Sequence, residues 1–144
     1  MIRVAKLEDV TAVTELALKL WPEHEFEELK EEFENILSNE NSIVFLAFKN
    51  DVAIGFAQCE LRFDYVEGTE SSPVAYLEGI YVEDNYRKQG IAKNLVEHCE
   101  AWGREHGCTE FGSDCEFDNT DSLKFHLSIG FEEANRIICF KKNI

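Results

Sequence analysis

A mixed α/β domain of the α+β kind, one sheet with helices on both faces, is the fold class the sequence predicts. Three features predict it. Apolar or alternating stretches of strand length recur along the chain. Segments with apolar residues at helical spacing separate some of them. Most strand-length stretches follow one another directly, with one strand–helix–strand crossover, so the sheet is mixed and mostly antiparallel. The order is β-α-α-β-β-β-α-β-α-β-β, in one domain spanning residues 1–144.

Ile2-Arg3-Val4-Ala5 is a short first strand. Asp9 to Leu20 carries Val10, Val13, Leu16, Ala17 and Leu20 on one helical face. Pro22 stops that helix, because the residue before a proline is driven out of the helical region. Glu25 to Ser38 is a second helix, with Phe26, Leu29, Phe33, Ile36 and Leu37 inward and a solvated run of glutamates outward. Ile43 to Phe48 is an apolar strand, and Val52 to Phe63 is its hairpin partner across the turn Lys49-Asn50-Asp51. The polar loop from Asp64 to Pro73 leads into a central strand ending at Val82. A long helix runs from Ile91 to His106, with Gly107 as its C-terminal cap. Glu110 to Cys115 is the next strand, Asn119 to Ser122 offer caps for a short helix, and Gly130 ends it. Phe131 to Asn135 and Arg136 to Lys142 are expected as a final pair of strands.

Composition narrows the function classes. The chain is long enough for a core without covalent staples. Cys59, Cys99, Cys108, Cys115 and Cys139 are odd in number and contain no Cys-x-x-Cys, which argues for reduced thiols. His24, His98, His106 and His126 have no metal-ligand spacing, so no metal is expected. No run of about 18 apolar residues is present, and the N-terminus lacks a signal-peptide pattern, so a cytoplasmic protein is expected. The net charge of −15 disfavours nucleic acid and anionic membranes as partners. It suits a cationic substrate drawn in by a negative field, although such charge also serves solubility alone.

The chemistry-bearing stretch is Tyr76 to Ala92. A buried strand, Tyr76 to Val82, passes through the turn Glu83-Asp84-Asn85-Tyr86 into a helix opened by Arg87-Lys88-Gln89-Gly90-Ile91-Ala92. The first N–H groups of a helix lack partners and its dipole favours an anion there, so the junction is built to hold phosphate. Gly90 lets backbone approach the ligand without a Cβ in the way. An ordinary β–α junction is the plain alternative.

The Arg-x-x-Gly-x-Ala spacing after Ile80-x-Val82, with Asn119 and Gly130-Phe131 downstream, resembles the GCN5-related N-acetyltransferase superfamily. Within it the chain is similar to aminoglycoside 6′-N-acetyltransferases. The matching pieces are Leu20-Trp21-Pro22 with His24, Ala53 to Ala57, Asp64-Tyr65-Val66 with Gly68, Ser71 to Val74, Leu77-Glu78-Gly79-Ile80, Trp102-Gly103, Gly107-Cys108, Ser113-Asp114, and Gly130 to Glu133 with Arg136. The resemblance implies that acetyl-CoA is the co-substrate, held by residues matching Ile80, Tyr81, Val82, Arg87, Lys88, Gln89, Gly90, Ile91, Ala92 and Asn119. It implies an aminoglycoside held by Trp21, His24, Tyr65, Glu78 and Asp114, and a homodimer; the sequence offers no clear interface stripe, although the Arg136–Lys142 strand could pair across subunits as an edge. Two positions depart from the pattern. Asn135 stands where relatives carry an acid, and His126 stands where many members have a tyrosine general acid.

The reaction so implied is direct attack of an amine on a thioester. An alkyl amine with a pKa of about 10 must first lose a proton. Glu78 is the candidate to accept it, directly or through water, or else only to bind the ammonium. By the strand period of two, Glu78 is expected on the face of Ile80 and Val82. The Val82 N–H is the oxyanion donor that the resemblance implies. Asp114 would pair a second ammonium, or act as a turn residue. Trp21 and Tyr65 read as flat walls for sugar rings with cation–π attraction, or as core filler. His24 is a substrate contact or a helix-end residue. His126 reads first as a partly buried helix residue, with protonation of the departing thiolate as the alternative. Two other functions fit the same sequence: acetylation of a polyamine or other small polycation, and a non-catalytic acyl-CoA sensor.

Overall fold

The computed structural model describes residues 1–144. Five strands lie in the order β1 (Ile2–Val4), β2 (Ser42–Lys49), β3 (Val52–Arg62), β4 (Val74–Val82) and β5 (Phe111–Ser113). The first four pair antiparallel, and β5 runs parallel to β4. Helices α1 (Val10–Leu20) and α2 (Phe26–Leu37) cover one face; α3 (Ile91–Glu105) covers the other. Helix α4 (Thr120–Ser128) follows β5 and sends Phe125 onto the α3 side.

Local chemistry explains the elements. Asn50 and Asp51 have φ of +49° and +63°, the left-handed pair that a tight two-residue hairpin turn needs. Strand β2 is apolar from Ile43 to Phe48 because both its faces are covered there. Val44 and Leu46 pack toward α1 and α2, while Phe45 and Ala47 pack toward α3. Fully buried Phe56 extends into the α1–α2 side, edge-to-face with both Trp21 and Phe33. Gly103 of α3 lies against Ala75, where a Cβ would come within 2.8 Å of the Ala75 Cβ, so helix and strand approach closely.

One irregularity positions the site. Gln58 pairs with Gly79, but the next residue, Cys59, pairs with Leu77. Strand β4 therefore carries an extra residue, Glu78, in a β-bulge. Leu77, Ile80 and Val82 all face α3, whereas Tyr76 and Tyr81 face the other way. The period-of-two expectation for Glu78 is overturned: the bulge resets the alternation, and Glu78 lies on the face opposite Ile80 and Val82.

The expected final strand pair is also absent. Residues 131–144 carry no helix or strand. Phe131 packs beside Phe111, but Ile137, Ile138 and Phe140 are 67%, 80% and 91% exposed. A strand exists only through a ladder with a neighbour, and residues 131–144 form no ladder with any of the five strands. Strand β5 is likewise shorter than the Glu110–Cys115 expected, and β4 starts earlier, at Val74.

Phe56→Ala is expected to lower stability by about 3–5 kcal/mol, the range for a buried phenylalanine. Urea unfolding followed by circular dichroism would measure it. A change under about 1 kcal/mol would mean that the α1–α2 layer is not held through this ring.

Candidate active site

The site forms where β4 parts from β5. Their pairing covers only Ala75–Phe111, Tyr76–Gly112 and Leu77–Ser113, and stops at the bulge. Beyond it the β5-side edge of β4 is open. The Glu83 N–H donates to Ile54 at 2.8 Å, so strand alternation turns the N–H and C=O of Val82 and Ile80 away from β3 and onto that open edge. The Val82 carbonyl there accepts from Arg87 Nε at 2.8 Å.

On the α1–α2 face, Glu78 accepts from Arg62 through two bonds, Nε to Oε1 and Nη2 to Oε2, both 2.9 Å. The Arg62 guanidinium carbon lies 3.4 Å from the centroid of the Tyr76 ring. The Tyr76 hydroxyl donates to Asp114 Oδ2. The two acids singled out from sequence are thus joined by two residues that sequence reasoning missed. Burial raises the Glu78 carboxyl above the ordinary glutamate range, while the Arg62 bond and charge pull it back. Tyr76 is raised by burial and by its bond to Asp114, which keeps it a donor.

Trp21 closes one side. It caps the C-terminus of α1, and its ring lies so close to Gly79 that a Cβ there would come within 2.5 Å of it. The indole is therefore neighbour to Glu78 along β4. His24 follows it, half-exposed and 3.6 Å from Glu23. Tyr65 is 75% exposed on the β3–β4 loop, its hydroxyl accepting from the Gly68 N–H at 3.4 Å. Asn135 Nδ2 donates to Glu67 Oε1 at 2.7 Å, so position 135 holds an acid of that loop in place of supplying one.

On the α3 side the junction has anion-binding form. Gly90 is the N-cap of α3 with φ +81°, no side chain caps the helix, and a Cβ built on Gly90 would meet nothing within 4 Å. Lys88 precedes it with φ +61°, and Arg87 is paired to Asp84 at 3.1 Å. Ile91 and Ala92 pack into the core and fix the helix start against the sheet. Open space, unclaimed N–H groups and two cationic side chains fit a pyrophosphate. Not every sequence candidate lines this junction. The Tyr81 ring packs on the opposite face, and Asn119 caps α4, its Oδ1 accepting from the Ser122 N–H at 3.1 Å.

At the end of the β4–β5 pairing, Ser113 Oγ is 2.7 Å from His126 Nε2, and His126 Nδ1 is 2.7 Å from the Ser122 carbonyl oxygen. Ser113 was visible in sequence only as the neighbour of Asp114. Arg62 and Tyr76 gave a weaker signal still: Tyr76 precedes Glu78 by two in a strand, while Arg62 arrives from β3 through a register that no local pattern encodes. The residues described include no group of three or more His, Cys, Asp or Glu able to hold a metal.

Comparison with known proteins agrees with this geometry. The Acetyltransferase (GNAT) family model matches residues 10–131. An aminoglycoside N(6′)-acetyltransferase type 1 of Acinetobacter genomosp. 13 is 44% identical over 126 residues, 87% of this chain and 86% of the relative. The aminoglycoside N-acetyltransferase AAC(6′)-Iy in complex with CoA superposes with a TM-score of 0.97 at 39% identity, covering 100% of this chain and 95% of that one. AAC(6′)-Iy in complex with the bisubstrate analogue CoA-S-monomethyl-acetylneamine gives 0.96 at 39% identity, with 100% and 98% covered. A strand-to-helix phosphate junction, a parted β4–β5 pair and a match across most of its length identify this chain as a member of the GNAT acetyltransferase family.

Proposed function

We propose that this protein is an aminoglycoside 6′-N-acetyltransferase, one acetyltransferase domain over residues 1–144, which moves the acetyl group of acetyl-CoA to the 6′-amine and so confers antibiotic resistance. One observation carries the reading: the bulge aims a half-buried carboxylate, Glu78, at the Trp21 face beside an unpaired stretch of strand edge. The likeness to proteins named for this activity supports it.

Acetyl-CoA supplies the acetyl thioester; Arg87 to Ala92 hold its pyrophosphate. Glu78 takes a proton from the substrate ammonium. Arg62 keeps that carboxylate ionised and aimed despite its burial. The open edge supplies the oxyanion donor. Val82 is the candidate from sequence; the Ile80 N–H shares the edge and lies two residues nearer Glu78, which makes it the better placed of the two. Asp114 takes a second ammonium, Trp21 and Tyr65 flank the sugar rings, and His24 and Glu67 stand at the rim. The charge of −15 gathers a polycation and repels nucleic acid. We propose the cytoplasm as its place of action; no helix is long and apolar enough to cross a membrane.

We also infer a homodimer. Ile137, Ile138 and Phe140 form an exposed apolar run with strand composition, and β5 leaves its outer edge unpaired. The same segment of a second copy satisfies both needs.

Thiol release from acetyl-CoA tests the reaction. Turnover is expected with an aminoglycoside bearing a 6′-amine and not with its 6′-hydroxyl counterpart; turnover with neither, but with a polyamine, would overturn the acceptor. Glu78→Gln is expected to lower kcat by about 10²–10⁴ with acetyl-CoA binding retained. The acid limb of kcat/KM is expected above the ordinary glutamate range, because the base acts only when ionised and its pKa is raised. Arg62→Gln removes a lowering influence, so the limb should move to still higher pH; an unmoved limb would remove Glu78 as the titrating group. Deleting residues 136–144 is expected to yield monomers by analytical ultracentrifugation, and an unchanged dimer would exclude that segment as the interface.

A further inference from the structure

The structure holds a hydroxyl–imidazole pair that the proposed site does not use. Ser113 is the last residue of β5 paired to β4, opposite Leu77. It therefore stands at the point where the two strands part. Its Oγ lies 2.7 Å from His126 Nε2 and 3.4 Å from the Leu77 carbonyl oxygen. The other ring nitrogen, Nδ1, is 2.7 Å from the Ser122 carbonyl oxygen. A carbonyl only accepts, so Nδ1 carries a proton and Nε2 faces the serine. The ring is fixed by Phe131 at 5.0 Å and Phe125 at 5.9 Å between centroids. The imidazole is thus flanked by Ser113 from β5, Ser122 and Phe125 from α4, and Phe131 after it, none of which ionises near neutrality.

Position gives the pair its meaning. Ser113 is in register with Leu77, which faces α3, and α4 packs on that same side. The anion-binding start of α3 is there too. Glu78 faces the opposite side, toward Trp21. The gap between β4 and β5 therefore has a proton acceptor on its α1–α2 face and a hydroxyl–imidazole pair on its α3 face. Attack on a thioester adds the amine to one face of the planar acyl carbon, and the tetrahedral intermediate then expels the thiolate, so the group that takes the amine's proton and the group that meets the departing sulfur are separate demands.

We propose that Ser113 and His126 form a relay that delivers a proton to the departing thiolate, a role that rests on the acetyl-transfer reading. As the C–N bond forms, the carbonyl pair moves to oxygen; as the carbonyl re-forms, the C–S bond breaks and its electron pair goes to sulfur. Ser113 gives its hydroxyl proton to that sulfur and receives the Nε2 proton of the His126 imidazolium. The Ser122 carbonyl keeps its bond to Nδ1–H throughout. His126 ends neutral, accepting from the restored serine hydroxyl, and is recharged from solvent. The ammonium proton leaves separately through Glu78. Ser113 is the residue that touches the reacting sulfur; His126 acts through it.

The test uses the whole protein with CoA alone, and reads the ionisation of the bound thiol from the ultraviolet absorbance of its thiolate. A hydroxyl donating to the thiolate stabilises it. In wild type the bound thiol is therefore expected to ionise at lower pH than in Ser113→Ala, with Ser113→Thr, which keeps the hydroxyl, behaving as wild type. Nitrogen-15 spectra of the free protein should show His126 protonated at Nδ1, with the Nε2 resonance moving in Ser113→Ala. With substrates present, Ser113→Ala should lose about tenfold in kcat, the lower part of the range for positioned proton transfer, with KM for acetyl-CoA unchanged. Identical thiol titrations in wild type and Ser113→Ala would overturn the relay, as would a neutral ring that carries its proton on Nε2 and none on Nδ1. Ser113→Ala removes one oxygen atom and decides the matter even if His126→Gln fails to fold. Failure of amine acetylation in wild type would instead sink the acetyl-transfer reading, and the CoA titration separates the two.

Discussion

The extra residue in β4 at Glu78 is the constraint on which the site depends. A regular strand would place Glu78 and Ile80 on one face and keep β4 and β5 laddered. The bulge does neither. It keeps Leu77, Ile80 and Val82 anchored in the α3-side core while turning Glu78 and Gly79 toward Trp21. It also coincides with the end of the β4–β5 ladder, which leaves backbone N–H groups facing open space. Buried backbone donors are normally satisfied, so an unpaired edge beside a half-buried carboxylate is costly unless a ligand completes it.

Electrostatics follow from that geometry. Glu78 loses hydration where the bulge puts it, and Arg62 answers with a two-point bond of a kind that fixes direction as well as charge. Arg62 in turn stacks on Tyr76, and Tyr76 engages Asp114. The chain of four residues contains two acids and one cation, so it remains negative and suits a substrate that brings several ammonium groups. The Arg62 side chain is 41% exposed, so the pair's value lies in orientation more than in stability. The thiols contrast with this. Cys59, Cys99 and Cys108 are buried in the α3-side core; the Cys99 thiol and burial both raise Cys59, and burial raises Cys108. Shielded from solvent, they are structural residues.

Two kinds of incompleteness are visible in the molecule and have different physical sources. The open β4 edge is polar and lies beside charged groups, so a ligand with carbonyl and phosphate oxygens suits it. The segment after Asn135 exposes Ile137, Ile138 and Phe140, so a second polypeptide suits it. The Glu67–Asn135 bond lies where these regions meet, joining the β3–β4 loop to the start of that segment.

Helix positions were legible from sequence because helical periodicity is local. Val10, Val13, Leu16 and Ala17 are buried as their spacing requires, Gly107 takes the left-handed cap with φ +81°, and Gly90 opens α3. The phosphate junction was legible for the same reason: a strand, a turn and a helix start are consecutive in the chain. Trp21, Glu78 and Asp114, singled out together from sequence, lie near one another around β4, but Glu78 is on the face opposite the one expected. Sequence by itself thus determined the helices, the order of the five strands present and the strand-to-helix turn at Gly90. Only the tertiary structure decided the register of β3 against β4, the bulge it contains, the arrival of Arg62 and Ser113, and the missing final strands. Strand pairing joins residues far apart in the chain, and a one-residue slip reverses every side chain, so no local pattern can specify it.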